Sequence, residues 1–267
     1  MQNKVVVITG ASSGIGKALA EEYASKGCNI VLAARRIDLM KELEVKFKNV
    51  EVLLVKTDVT VESDCKKLID SAIEKFGKID VLINNAGISM RAATIDVDVE
   101  VLRKVMDVNL WGTVYCTKFA LPHLLASKGS LVGIMSVGGY VGLPARSGYS
   151  ASKFAMRGFL DSVRVEHRRS GLHVLVAAPG FTTSEIRKSA LIANGTQQGE
   201  TPRNENNMMS AEECARHIYK AVKRRRRKLI LTFWEGKFTV LLAKLWADLI
   251  DGFIYRTFAK EPDSPLK

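Results

Sequence analysis

Short β-branched runs alternate with longer segments of helical period along most of this chain. Residues 4–9 (KVVVIT), 29–34 (NIVLAA), 50–57 (VEVLLVKT), 79–84 (IDVLIN), 130–136 (SLVGIMS), 173–178 (HVLVAA) and 228–233 (KLILTF) read as strands. Their apolar character is nearly continuous rather than alternating, which suits parallel strands covered on both faces. Between them, 14–26, 38–48, 61–76, 98–127 and 149–169 place apolar residues three and four apart, as a helix with one buried face does. Alternation repeated this often predicts an α/β fold, a doubly wound parallel sheet with right-handed crossovers. No internal repeat or boundary interrupts residues 1–233, which are expected to form a single domain.

Two stretches depart from the rhythm. Residues 190–209 (ALIANGTQQGETPRNENNMM) are polar and rich in turn formers, and predict a mobile loop rather than packed structure, within a longer connection of about 185–209. A helix is expected to restart at Ser210, because Ser210 and Glu213 have capping-box spacing. Residues 234–267 form a C-terminal extension, predicted as one amphipathic helix over 236–258. Phe238, Leu241, Leu242, Leu245, Trp246, Leu249, Phe253 and Ile254 should share one stripe of it. Lys244, Asp248 and Asp251 interrupt the apolar content, so this helix should not span a bilayer.

Composition narrows the class. With 267 residues, 47% of them hydrophobic, the chain can bury a full core. Its net charge is +12, and half of that excess sits in Lys223–Lys228, which contains Arg224 to Arg227. Such a run between a helix and a strand complements the helix C-terminal dipole. It lacks the interleaved aromatics and groove-entering element of nucleic-acid binding, which argues against that partner. Beside Trp234, Trp246, Phe253 and Phe258 it has the ingredients of a peripheral contact with an anionic membrane. Packing in a homodimer or homotetramer is the plainer reading of the same helix. Cys28, Cys65, Cys116 and Cys214 have no paired spacing and read as reduced thiols, and no leader precedes the first strand, which together predict a cytoplasmic protein. The four histidines form no metal-ligand pair, so no metal is expected.

The first strand runs into TGASSGIG, residues 9–16, where Gly10, Gly14 and Gly16 fall at a strand-to-helix turn. Glycine there lets backbone amides approach a pyrophosphate at a helix N-terminus, with Ser12, Ser13 and Ile15 in the same turn. At the end of the second strand a dinucleotide site commonly carries a carboxylate for the ribose hydroxyl. Here that place holds Arg35 and Arg36, side chains suited to a 2′-phosphate, which predicts NADP(H) in preference to NAD(H). Further on, Tyr149 and Lys153 are four apart in a predicted helix and so share a face. A neighbouring cation is expected to lower the phenol pKa and fit the tyrosine for general acid/base work. Ser136, at the end of the fifth strand, is placed to hold a substrate oxygen.

TGASSGIG, NNAG (84–87), Asn109, Ser136, YSASK (149–153) and PG (179–180) occur in order, and the chain over about 4–233 resembles the short-chain dehydrogenase/reductase family. The resemblance implies a Rossmann-type sheet of seven parallel strands and a catalytic set of Asn109, Ser136, Tyr149 and Lys153. It further implies that Lys153 holds the nicotinamide ribose and that Asn109 keeps a proton-relay water near that lysine. Asp58, followed by Val59, matches the residue that meets the adenine amino group, and Asn85, Ala86 and Gly87 match positions near the adenosine ribose. After Pro179 and Gly180 the family commonly has an aspartate and a threonine. This chain reads FTTSEI, which leaves Thr182, Thr183 and Ser184 as alternatives for the cofactor contact. Arg146 and Phe181 are expected at the substrate, a medium or large hydrophobic carbonyl or secondary alcohol. The competing reading is a non-catalytic, NADP-sensing or nucleic-acid-binding regulator on the same fold, which gives no reason for the four catalytic residues to occur together.

Overall fold

The computed structural model describes residues 1–201 and 208–266. Seven strands lie in one sheet: β1 (Val5–Thr9), β2 (Asn29–Ala34), β3 (Val52–Lys56), β4 (Val81–Asn84), β5 (Ser130–Ile134), β6 (His173–Ala178) and β7 (Lys228–Ile230). All pair in parallel, in the spatial order β3-β2-β1-β4-β5-β6-β7. Because β1, β4, β5 and β6 are fully buried, both sides of each pleat need a hydrophobic residue. Val6 and Ile8 enter one core layer and Val5 and Val7 the other.

The first layer is closed by α1 (Gly14–Ser25), α2 (Ile37–Glu44) and α7 (Ala211–Lys223), through Leu19, Tyr23, Met40, Leu43 and Ile218. The second is closed by α3 (Glu62–Phe76), α5 (Gly112–Ala126) and α6 (Ser147–Glu166), through Leu68, Ile69, Leu124 and Leu160. The strand order reverses between β1 and β4. Loops leaving the carboxyl ends of the strands there diverge to opposite faces and open a crevice, the usual ligand position in this architecture. The doubly wound, seven-stranded sheet expected from the sequence is the one observed.

Three expectations need correction. The helical stretch 98–127 is not one helix: α4 (Val99–Met106) passes through a π-helical turn, Asp107–Trp111, into α5. Asn109 sits fully buried in that turn, and its side chain is spent outside the helix rather than on it. Among the described residues of the substrate loop, Ala190 and Leu191 are buried. Leu191 pairs with Met90, its N–H donating to Ser89 O at 2.9 Å while Arg91 N–H donates to Leu191 O at 2.7 Å. The apolar residues of that loop thus pack, although its polar sequence reads as loose; residues 202–207 lie outside the described residues. The third correction concerns the C-terminal extension. It forms a π-helical segment (Phe233–Phe238), then α8 (Thr239–Leu245) and α9 (Ala247–Ala259), broken at Trp246, where φ is −145°. Val240, Ile250, Ile254 and Phe258 are buried against Val137 and Val141, whereas Leu241, Leu245, Trp246, Leu249 and Phe253 are exposed. The single predicted stripe is divided between two faces, and Phe258 faces inward.

The helix expected at Ser210 does begin there, with Ser210 Oγ accepting from the Glu213 N–H at 3.1 Å. The arginine run occupies the connection from α7 to β7. Arg225 takes a left-handed conformation (φ 49°) and donates to Lys128 O at 3.2 Å and to Gly171 O. Lys128 and Gly171 precede β5 and β6, so this run lies at the amino ends of the strands, opposite the crevice.

Candidate active site

A cleft of about 730 Å³ opens over the carboxyl ends of the strands, lined by residues from Gly10 to Ile15, Arg35, Arg36, Asp58, Val59, Asn85 to Gly87, Ser136, Tyr149 and Lys153. Its first wall is the turn after β1. Gly10 has φ 64°, and a Cβ there would stand 2.9 Å from Ala86 Cα. A Cβ on Gly16 would stand 2.2 Å from Gly10 O, so α1 could not pack against the turn. Asn85, expected near the ribose, supports this turn from behind: its Nδ2 donates to Thr9 O at 2.9 Å and to Gly10 O at 3.2 Å. Thr9 Oγ1 accepts from the N–H groups of Asn85 and Ala86, at 3.0 Å each. Thr9 was not singled out from the sequence, where it reads as the last strand residue.

The Arg36 guanidinium spans from the end of β2 to the phosphate turn, donating to Ser12 Oγ at 3.1 Å and Ser13 Oγ at 3.0 Å. No carboxylate takes the corresponding position, so the exposed arginines and two hydroxyls form a cationic rim around the end of the turn. Such a set fits a phosphate ester, with a guanidinium for charge and hydroxyls for directed hydrogen bonds. Asp58, on the far rim, has one oxygen engaged by Thr60 N–H at 3.0 Å and Thr60 Oγ1 at 2.8 Å.

Of the three alternatives after Gly180, Thr182 and Ser184 line the cleft. Thr182 is buried and donates to Gly180 O at 3.2 Å. Thr183 is held by its backbone to Met209 O at 2.9 Å. Ser184 lies against Gly14: a Cβ on that glycine would be 3.3 Å from Ser184 Cβ. Ser184 is therefore the hydroxyl residue that faces the phosphate turn.

The reacting end is built by β5 and α6. Ser136 Oγ accepts the Gly138 N–H at 3.2 Å, and the serine lines the cleft beside Tyr149. Burial pushes the Tyr149 phenol above its ordinary value; the neighbouring Ser136 hydroxyl and the Arg146 charge oppose that rise. The Lys153 ammonium lies 5.8 Å from the Tyr149 ring centroid and donates to Ile134 O at 3.0 Å. Burial brings Lys153 itself down to about 8. The sequence expectation of a phenol lowered by its lysine is corrected here: burial outweighs the groups that favour phenolate, which are Ser136 and Arg146.

Asn109 stands behind Lys153. Its Oδ1 accepts from Ile88 N–H at 2.8 Å and its Nδ2 donates to Ile88 O at 3.0 Å and Ser152 Oγ at 2.8 Å. Ser152 in turn donates to Tyr149 O at 2.7 Å. A Cβ on Gly87 would be 3.2 Å from Asn109 Oδ1 and 3.5 Å from Lys153 Nζ, so NNAG brings β4 close to both. Ser152 was missed in the sequence because nothing distinguishes it from other helical serines. Phe181 and Arg146 line the substrate end with Leu143 and Phe258. Among the described residues, no group of three His, Cys, Asp or Glu could hold a metal.

Known proteins resemble this chain in sequence and in fold. The family profile described as short chain dehydrogenase matches residues 4–194. A Dictyostelium discoideum dehydrogenase/reductase SDR family protein 7-like is 34% identical over 97% of this chain and 82% of its own. An Arabidopsis thaliana 11-beta-hydroxysteroid dehydrogenase-like 2 is 36% identical over 93% of this chain and 79% of its own. Among solved structures, a Burkholderia phymatum short chain dehydrogenase/reductase in complex with NAD superposes with a TM-score of 0.82 at 26% identity, covering 93% of this chain and 95% of that one. A Thermococcus sibiricus alcohol dehydrogenase complexed with 5-hydroxy-NADP shares the fold, with a TM-score of 0.76 over 85% of this chain and 94% of its own. A crevice framed by the glycine turn, NNAG and the Ser136–Tyr149–Lys153 cluster, found in a chain whose relatives are dehydrogenases along nearly its whole length, makes this protein a member of the short-chain dehydrogenase/reductase family of oxidoreductases.

Proposed function

We propose that this oxidoreductase interconverts a hydrophobic carbonyl compound and its secondary alcohol, with NADP(H) and with Tyr149 as general acid/base. The observation that carries the reading is that Ser136, Tyr149 and Lys153 line one cleft, with the Lys153 ammonium 5.8 Å from the Tyr149 ring. A substrate oxygen placed there meets two hydroxyls. Ser136 holds it, while Tyr149 donates a proton as the carbonyl becomes an alcohol and accepts one in the reverse direction. Lys153 supplies a positive charge beside the phenol, and Asn109 fixes α6 against the loop after β4. A bound nicotinamide would supply or accept the hydride. Gly10 to Gly16, Ser184, Asn85 to Gly87, Pro179 and Gly180 would hold its pyrophosphate and ribose side, and Asp58 with Val59 its adenine.

Arg36 on Ser12 and Ser13 supports NADP(H), because a 2′-phosphate would replace two neutral hydroxyl partners with charged ones. Apolar groups at the substrate end (Leu143, Phe181, Phe258) support a steroid-like or acyl-like substrate, a class consistent with the hydroxysteroid dehydrogenase names of some relatives. The test is direct: purified protein with a panel of carbonyls should consume NADPH faster than NADH. No consumption of either cofactor across the panel would overturn the reading. A nucleic-acid-binding role draws no support from the arginine run, part of which is engaged in holding Lys128 and Gly171 at the opposite end of the sheet.

We further propose a cytoplasmic homo-oligomer, a homodimer or homotetramer, in which the exposed face of α8 and α9 is covered. Trp234 and Leu249 are each 70% exposed, and Leu241, Leu245, Trp246 and Phe253 continue the patch. A contiguous apolar surface of this kind marks an interface. Among the described residues no helix is long and apolar enough to cross a membrane. Peripheral docking on anionic lipid is the alternative cover, favoured by Lys228 and Lys244, whose charges repel one another at the patch edge.

A further inference from the structure

Glu261, two residues beyond α9, is a carboxylate only 4% exposed. Arg146 donates to its Oε2 at 2.7 Å, and Arg91 Nε lies 3.6 Å from the same oxygen. Arg91 also donates to the carbonyl of Pro262, the next residue. The Arg146 guanidinium lies 4.5 Å from the centre of the Phe258 ring. Both arginines are themselves largely enclosed, with side chains 10% and 14% exposed.

Each arginine comes from a different part of the reacting end. Arg91 follows Met90 in the loop after β4, and its N–H is bonded to Leu191 of the substrate loop. Arg146 immediately precedes α6 and lines the cleft three residues before Tyr149. The two loops are joined by Ala92 N–H donating to Ala145 O at 3.0 Å. Two guanidiniums at close quarters repel, and each is costly to bury without an opposite charge. Among the described residues, the Glu261 carboxylate faces both. A buried ionic contact contributes less to net stability than to holding one arrangement over others, and here the arrangement concerns the tail. With Glu261 seated, Phe258 is 4% exposed, lines the cleft, and packs with Val137, Val141, Leu143 and Phe181. The tail is folded compactly behind it, Ser264 Oγ donating to Phe258 O at 2.9 Å.

We propose that Glu261 is a specificity-determining positioning residue. Its carboxylate latches the C-terminal tail across the substrate end, making Phe258 a wall of the pocket, and it neutralises Arg146 and Arg91, so that the pocket selects bulky neutral carbonyls and rejects carboxylate-bearing ones. The inference rests on the carbonyl-reductase reading for its kinetic part and on geometry alone for the latch.

The test compares full-length wild type, Glu261→Gln and Glu261→Asp in two measurements. Hydrogen exchange of residues 258–266 needs no substrate. It is expected to rise about tenfold or more in Glu261→Gln and to return toward wild type in Glu261→Asp. Steady-state kinetics then use a bulky neutral aryl ketone and a matched keto acid. Glu261→Gln is expected to raise KM for the ketone about tenfold with kcat within about threefold, and to lower KM for the keto acid, because the positive charge of Arg146 at the cleft is no longer offset by Glu261. Unchanged exchange in Glu261→Gln overturns the latch. An equal rise in KM for both carbonyls overturns the charge selection, because a loosened fold would penalise both alike. Wild type that consumes NADPH with neither carbonyl overturns the carbonyl-reductase reading, while the exchange measurement still decides the latch.

Discussion

Ser136 and Tyr149 stand together in the cleft, where the serine hydroxyl favours the ionised phenol against the effect of burial. The Gly138 N–H donates to Ser136 Oγ at 3.2 Å and anchors that side chain. In the proposed mechanism a carbonyl oxygen would be held between the two hydroxyls.

Arg36→Ala removes the guanidinium that bridges β2 to Ser12 and Ser13. A charge-assisted contact to a phosphate is worth about 1.5–3 kcal/mol, so KM for NADPH is expected to rise about 10- to 100-fold. KM for NADH should change little. Initial rates with each cofactor at saturating carbonyl measure the ratio; equal effects on both would remove the 2′-phosphate role.

Lys153 gives a pH dependence of defined sign. Burial lowers its folded-state value from 10.5 to about 8. Below that value the ammonium is present beside the phenol; above it the charge is lost, so kcat/KM for carbonyl reduction should fall as pH rises through about 8. Stability moves oppositely, because between about 8 and 10.5 the unfolded chain binds the extra proton and unfolding becomes harder as pH rises. Lys153→Met should abolish the lysine contribution to that stability slope, as denaturant titrations at pH 7.5 and 9.5 can show.

Asn109→Ala leaves the part-buried Ile88 N–H and carbonyl, and the buried Ser152 hydroxyl, without their side-chain partner. Each unsatisfied group costs about 1–3 kcal/mol, so a loss of about 2 kcal/mol or more in unfolding free energy is expected, together with reduced kcat. Urea unfolding of the variant measures the first effect. A change below about 0.5 kcal/mol, the range of ordinary surface substitutions, would mean that Asn109 does not carry the junction of α4 and α5.

The exposed face of α8 and α9 should decide assembly. Leu245→Glu combined with Leu249→Glu places two charges among the exposed apolar residues and is expected to yield a monomer at unchanged fold, where wild type is expected to assemble as proposed. Light scattering after size exclusion reads the mass, and flotation with anionic vesicles at low salt reads the alternative. A monomeric wild type that floats with vesicles would replace the subunit interface with a lipid one.

The sheet was legible in the sequence because seven buried parallel strands leave continuous β-branched runs that few other structures tolerate. The placement of Tyr149 and Lys153 on one helical face was legible for a similar reason, since four-residue spacing is local. The Asn109 π-turn left no such sign: a single extra residue per turn does not disturb an apolar period over 30 positions. Leu191 packs because Met90, a hundred residues away, presents a partner, and no local pattern encodes that pairing. The Glu261 contact is more distant still, 115 residues from Arg146. The direction of the Tyr149 shift was misread because spacing reports the neighbouring cation but not the burial that outweighs it. The arginine run suggested a ligand by composition alone; position shows Arg225 engaged in joining α7 to the lower edge of β5 and β6.

The account depends most on Tyr149 as the group that moves the proton. Wild type and Tyr149→Phe should be compared for single-turnover consumption of NADPH with the best carbonyl of the panel, after cofactor binding has been verified for both by fluorescence. The expected result is equal cofactor affinity and a chemical step slowed about 10²- to 10⁴-fold in the variant, the range for loss of a general acid. A chemical step of undiminished rate in Tyr149→Phe, with the cofactor bound, would contradict the mechanism.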